Sequence, residues 1–137
     1  MIRMRPFSIL KTLGVGIAFA VVVSCESPTE PLPEGAIAFT APPAYEVWWH
    51  QVEACAGRSS DFHAIAWYEV PGGTVFTVGS DSRIEGYWQP YHSSITLAGM
   101  RLNDSLLVRH EELHAILHTI DHPSEYFADK CGTLVAQ

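Results

Sequence analysis

The spacing of apolar residues changes along the chain, and it predicts an early helix followed by short strands. Between Ala44 and Ala56 apolar residues recur at helical spacing, so we predict a helix there that ends at Gly57. The segments 62–70 and 74–79 are rich in aromatic and β-branched residues and flank Pro71-Gly72-Gly73. This pattern is typical of a β-hairpin.

Two more strands and a second helix complete the predicted domain. Segments 83–89 and 94–98 are typical of short strands, and Asn103 or Asp104 can cap a helix that runs to about His118. The 137 residues suffice for one core. The sequence therefore predicts one small α+β domain with an early backing helix, a mostly antiparallel sheet of about four strands and a late helix.

The N-terminus has the pattern of an export signal. Three basic residues precede an apolar run, Leu13 to Val23, that is too short to span a bilayer as a mature helix, so residues 1–24 are predicted to be a signal peptide. The run ends in Val-Val-Ser-Cys, which resembles the lipobox of bacterial lipoproteins. That resemblance implies a lipidated Cys25, attached to a membrane of the bacterial cell envelope by its lipid alone. An ordinary secretory signal cut near the same place is the alternative.

The charge and composition beyond the signal restrict the partners. Segment 26–35 has three prolines and three glutamates, so residues 25–35 are predicted to form a flexible tether and residues 36–137 the folded domain. Five basic and fifteen acidic residues follow Ser24, a net charge of −10. Such a charge argues against nucleic acid as a partner. The sequence gives no oligomeric state.

Two cysteines remain once the lipobox cysteine is set aside. Cys55 and Cys131 form an even pair in an exported protein, where disulfides persist, so we predict that they are bonded. Two buried thiols are the alternative.

The late helix carries the sequence His-Glu-Glu-Leu-His, an HExxH motif. His110 and His114 are four residues apart, so both imidazoles lie on one helical face and can bind the same ion. Glu111 is about 100° around the helix from His110, where its carboxylate can reach a metal-bound water without replacing it. Glu112 points away from His110, so we predict a solvated surface charge there.

A catalytic zinc needs a third protein ligand. His118 continues the four-residue step, but on a straight helix it lies about 12 Å along the axis from His110, too far to share an ion. His122 precedes Pro123, which disfavours helical geometry and lets the chain turn back. We therefore predict His122 as the third ligand, with Asp121 next and Glu125 behind it.

This arrangement resembles the zincin metallopeptidases and comes nearest to a metzincin pattern. The pattern departs from metzincins because their glycine and third histidine positions are occupied by Leu117 and Ile120, and no methionine follows the motif. The resemblance implies a Zn²⁺ cofactor, Glu111 as the general base and a peptide or protein substrate bound along an edge strand, here 94–98. Tyr126 is the candidate donor to the oxyanion, with core packing as the alternative use.

The sequence thus predicts an exported, lipid-anchored zinc metallopeptidase that hydrolyses peptide bonds through zinc-bound water activated by a glutamate. The alternative is a non-catalytic zinc-binding lipoprotein with a structural or assembly role in the cell envelope.

Overall fold

The computed structural model describes residues 30–136, which form a small α+β domain. The predicted signal peptide, residues 1–24, and the predicted lipidation site Cys25 lie outside the described residues. Between residues 30 and 136 there is no helix long and apolar enough to cross a membrane. The regular elements are, in order, β1 (Ile37–Ala38), α1 (Pro43–Ala56), β2 (Ala66–Val70), β3 (Phe76–Val78), β4 (Asp81–Ile84), β5 (Gly86–Gln89), β6 (Ser94–Ala98) and α2 (Ser105–Leu117).

The main sheet has four strands in the order β1-β2-β6-β5. Strands β2 and β6 are parallel, from Ala66 opposite Ser94 to Val70 opposite Ala98. The two outer strands, β1 and β5, each pair antiparallel with their neighbours. All five residues of β6 are buried, and β1 and β5 are the two edge strands of the sheet.

The predicted hairpin between 62–70 and 74–79 is wrong. Strand β3 pairs with β4 in a separate two-stranded sheet, while β2 pairs with β1 and β6. After β2 the chain passes close over the end of β6, where a Cβ on Gly99 would lie 3.0 Å from the Cα of Pro71. Met100 N donates to Gly73 O at 3.0 Å and holds this crossing in place. The turn residues therefore carry the chain across the sheet instead of back along β2.

The two helices form where the sequence predicts them, because each has an end signal and an apolar face. Pro43 occupies the first turn of α1, and Gly57 ends it with φ +64°. The carboxylate of Asp104 accepts hydrogen bonds from two backbone N–H groups of the first turn of α2, at 3.2 Å each. Both helices contribute to the core together with Ile95 and Leu97 of β6.

A disulfide joins Cys55, at the end of α1, to Cys131, with 5.4 Å between the two Cα atoms. The predicted pairing is confirmed. The bridge ties the segment that follows α2 to the end of α1, 76 residues away in sequence.

Residues 30–33, predicted as the end of a flexible tether, are instead held against the sheet. Tyr87 Oη donates to Glu30 Oε1 at 2.6 Å, and Gln89 Nε2 donates to Pro31 O at 3.1 Å. Pro33 is buried. Because side chains alternate along β5, these contacts lie on the face of the sheet opposite Trp88 and the helices.

Candidate metal centre

Three histidines from α2 and the turn after it converge on one point. Nε2 of His110 lies 3.0 Å from Nε2 of His122, and Nε2 of His114 lies 3.2 Å from each of the other two. Across residues 30–136, this is the one group of three or more His, Cys, Asp or Glu side chains placed to hold a metal ion. The structure therefore brings together the three predicted ligands.

A helix and a turn place these ligands. His110 and His114 lie one turn apart on the same face of α2. The helix then ends because His118 adopts a left-handed conformation, φ +53°, and its N–H bonds back to the last turn. Thr119 N donates to His114 O at 3.1 Å, which closes the turn. The chain reverses here, and His122 returns to the histidine face of the helix.

Backbone carbonyls orient two of the rings. Nδ1 of His110 lies 2.7 Å from Ala136 O, and Nδ1 of His114 lies 2.9 Å from Thr119 O. A carbonyl oxygen can only accept, so Nδ1 carries the proton of each neutral ring and Nε2 presents its lone pair. Two lone pairs 3.2 Å apart cannot hydrogen-bond to each other. A cation between them converts this repulsion into coordination.

The environment of His110 and His114 also keeps their Nε2 atoms unprotonated. Burial, and then the nearby His110, lower the pKa of His114 to about 4. Burial is also the main cause that lowers the pKa of His110. Both rings are thus neutral at pH 7, the state in which histidine binds a metal.

Phe127 forms one wall of the site, which the sequence did not predict. Its ring centroid lies 5.0 Å from that of His110 and 4.7 Å from those of His114 and His122. The π-helix Glu125–Lys130 carries it. An apolar ring against all three imidazoles excludes water from that side of the site. The only sequence signal was an aromatic residue five positions after the third histidine.

Glu111 is buried beside the histidines, with 5% of its surface exposed. Burial raises the pKa of Glu111 to about 8, although a hydrogen bond from the backbone amide of Trp88 opposes that shift. Gly86 makes this position possible, because a Cβ there would lie 2.6 Å from Glu111 Oε1. Glu111 and the three histidines line one cavity of about 160 Å³. A buried carboxyl with a raised pKa therefore lines the same cavity as the three histidines.

The other potential ligands lie outside the cluster. His118 is exposed, and its ring is 5.8 Å from the ring of Trp88. Asp121 is exposed, and Glu125 Oε1 pairs with Lys130 Nζ at 2.6 Å. The site described by residues 30–136 thus has three ligands.

The structure does not bring Tyr126 to the metal position. Its hydroxyl accepts a hydrogen bond from Arg58 Nη2 at 3.3 Å, and Lys130 Nζ lies 4.7 Å from its ring centroid. Tyr126 lines a different cavity, together with Arg58 and Pro123. Its position gives no support to the predicted oxyanion role.

Glu112 is not a surface charge, and that prediction is wrong. Its residue surface is 0% exposed, and neither carboxylate oxygen has a hydrogen-bond partner among the described residues. Burial raises the pKa of Glu112 to about 9, with Arg109 opposing. Burial and then Glu112 raise the pKa of Tyr45 on α1, which shows that the carboxyl faces the other helix. Contact between the helices, which a single-helix pattern does not reveal, explains the error.

The strand beside the site is β5, not the predicted segment 94–98, which is central in the sheet. Ala98 N donates to Glu85 O at 2.8 Å. Since bonded and non-bonded pairs alternate in antiparallel strands, the backbone polar groups of Gly86 and Trp88 face the free edge. The edge of β5 therefore presents backbone donors and acceptors toward the cavity.

Two further cavities adjoin the metal position. One, of about 320 Å³, is lined by His110, His122, Ser124, Phe127, Ala128 and Ala136. The other, of about 430 Å³, is lined by Pro90, Tyr91, His118, Thr119 and Ile120. Ile120 lines both the second of these and the cavity of the histidines, and His110 and His122 line both the first and the cavity of the histidines, so the three spaces lie next to one another along a cleft. A larger cavity of about 550 Å³, near β1 and the start of α1, has none of the three histidines in its lining.

Comparisons with protein-family models, with curated proteins and with solved structures gave no match to this chain. A functional assignment therefore rests on the geometry of the site itself.

Proposed function

We propose that this protein is an exported, lipid-anchored zinc metallopeptidase that hydrolyses peptide bonds. One observation carries the proposal. The Nε2 atoms of His110, His114 and His122 form a triangle with sides of 3.0–3.2 Å, and the buried carboxyl of Glu111 lines the same cavity.

The triangle fits a zinc ion. Tetrahedral zinc with bonds of about 2.0–2.1 Å to nitrogen requires ligand atoms roughly 3.3 Å apart, close to the separations found here. Imidazole nitrogens suit zinc, and the hydrogen bonds at both Nδ1 atoms are the outer contacts that zinc-binding histidines ordinarily make. Three protein ligands with a fourth position left open are typical of catalytic sites, whereas structural sites are closed by a fourth ligand.

Bound zinc supplies Lewis acidity and lowers the pKa of a water molecule towards 7. Glu111 accepts a proton from water at its carboxylate and passes that proton to the leaving amine. The Trp88 amide holds the carboxylate, and the missing side chain of Gly86 leaves room for it.

The free edge of β5 supports a polypeptide substrate. An extended peptide can add to this edge through the backbone groups of Gly86 and the carbonyl of Trp88, while the Trp88 amide stays bonded to Glu111. The two cavities next to that of the histidines, about 430 and 320 Å³, give space for peptide residues flanking the scissile bond. These features favour a peptidase over the non-catalytic alternative, which needs no open cleft.

The test is hydrolysis by the zinc-loaded protein, with a peptide library as substrate and mass spectrometry as the readout. We expect cleavage by wild type and a loss of about 10²–10⁴-fold in Glu111→Gln, with zinc content unchanged. Glu125→Gln, an exposed glutamate outside the cluster, is the control and should keep full activity. Unchanged hydrolysis in Glu111→Gln would exclude it as the base, and no cleavage by wild type would overturn the proposal.

A further inference from the structure

The chain enters the folded domain along β5, the strand whose edge borders the cleft. Tyr87 Oη donates to Glu30 Oε1 at 2.6 Å, and Nε2 of His92 contacts the carbonyl oxygen of Glu30. Tyr87 also lines the cavity of the three histidines. The first described residue is therefore fixed to the strand that borders the candidate active site.

Covalent geometry limits how far the predicted lipid can be from that strand. Four residues lie between Cys25 and Glu30, so their Cα atoms are five steps and at most about 18 Å apart. A folded domain of this size is roughly 30 Å across. A lipid on Cys25 would thus hold the β5 side of the domain close to the bilayer.

The same side carries exposed apolar side chains. Tyr91 is 77% exposed and Ile120 is 64% exposed, and together they line the 430 Å³ arm of the cleft. Tyrosine suits the boundary between lipid headgroups and acyl chains, because its ring is apolar and its hydroxyl is polar. Met100, 70% exposed, follows the far end of β6 and so lies at the opposite end of the sheet from Tyr91.

We propose that the face formed by Tyr91 and Ile120 docks on the lipid bilayer, so that the cleft opens at the membrane surface. The inference rests on the lipid anchor of the proposed function, not on hydrolysis. With the cleft in that orientation, the substrate class of the proposed peptidase is extended polypeptide segments that lie next to the membrane. Peptides free in the surrounding fluid reach such a cleft less readily.

Spin labelling of the full lipidated protein in phosphatidylcholine vesicles tests this orientation. Single nitroxides are placed at Tyr91→Cys and Ile120→Cys, with Met100→Cys and Val47→Cys as controls of similar exposure. The readout is collision of each label with oxygen, which concentrates in lipid, and with a water-soluble nickel chelate. We expect the oxygen-to-nickel ratio at positions 91 and 120 to exceed both controls several-fold.

Equal oxygen-to-nickel ratios at all four positions would overturn the docking. Tyr91 and Ile120 would then be available to contact substrate side chains instead of lipid. A mature protein whose mass shows no acyl chains would overturn it as well. Hydrolysis measured on the same samples separates the two proposals, since failure to cleave peptides refutes the peptidase without changing the label ratios.

Discussion

Replacing Glu112 by leucine should stabilise the protein at neutral pH and remove part of its pH dependence. Glu112 is fully buried against α1, and neither oxygen has a partner among the described residues. Burial raises its pKa from 4.5 to about 9. The folded protein therefore keeps a proton that the unfolded chain releases once the pH exceeds 4.5.

The sign and size follow from proton linkage. Because the folded state binds the extra proton, the free energy of unfolding falls as pH rises, by about 1.4 kcal/mol per pH unit between the two pKa values. The full stability is present below pH 4.5 and is lost progressively up to about pH 9. At pH 7, which is 2.5 units above the unfolded pKa of 4.5, the loss due to Glu112 is about 3.4 kcal/mol.

Urea unfolding between pH 5 and pH 8 in metal-free buffer measures this effect. Wild type and Glu112→Leu contain the same Glu111 and the same histidines. The pH dependence that these groups give to the free energy of unfolding therefore cancels when the two values are subtracted. We expect the stability gain of Glu112→Leu over wild type to grow by about 1.4 kcal/mol per pH unit. Glu34→Leu, at an exposed position, should change stability by less than about 0.5 kcal/mol at every pH. Parallel curves for wild type and Glu112→Leu would refute the reasoning.

Three further changes test other parts of the structure. Gly86→Ala places a methyl group 2.6 Å from Glu111 Oε1 and should displace this carboxylate by about 1 Å. Hydrolysis should then be roughly 10²-fold slower with zinc content unchanged, and a normal rate of hydrolysis would contradict this. Replacing Cys55 and Cys131 by alanine should cost about 4 kcal/mol in urea unfolding, because the bridge closes a long loop; a cost below about 1 kcal/mol would count against that role. Deleting residues 136–137 removes the Ala136 carbonyl that orients His110. Competition with a chelator should show a zinc affinity lower by roughly 10–100-fold, and an unchanged affinity would show that this carbonyl is dispensable.

The sequence predicts which three histidines converge because local rules place them. Helical spacing puts His110 and His114 on one face, and the residues before Pro123 end the helix and let His122 return. Distance along the helix correctly excludes His118. Each of these arguments concerns residues within a few positions of one another, where backbone geometry limits the possibilities.

The sequence predicts long-range contacts poorly. Strand β2 has the composition of one arm of a hairpin, yet it pairs in parallel with β6, which the chain reaches only after β3, β4 and β5. The burial of Glu112 depends on α1, and the position of Phe127 depends on how the last segment folds under the histidines. Periodicity within one element does not specify which other element covers it.

The zinc content of the purified domain tests the three-histidine site most directly. Wild type, His122→Ala and His118→Ala are dialysed against metal-free buffer after zinc loading, and the zinc retained per chain is measured. We predict one zinc ion in wild type and in His118→Ala, and loss of retained zinc in His122→Ala. Retention by His122→Ala together with loss in His118→Ala would contradict the account.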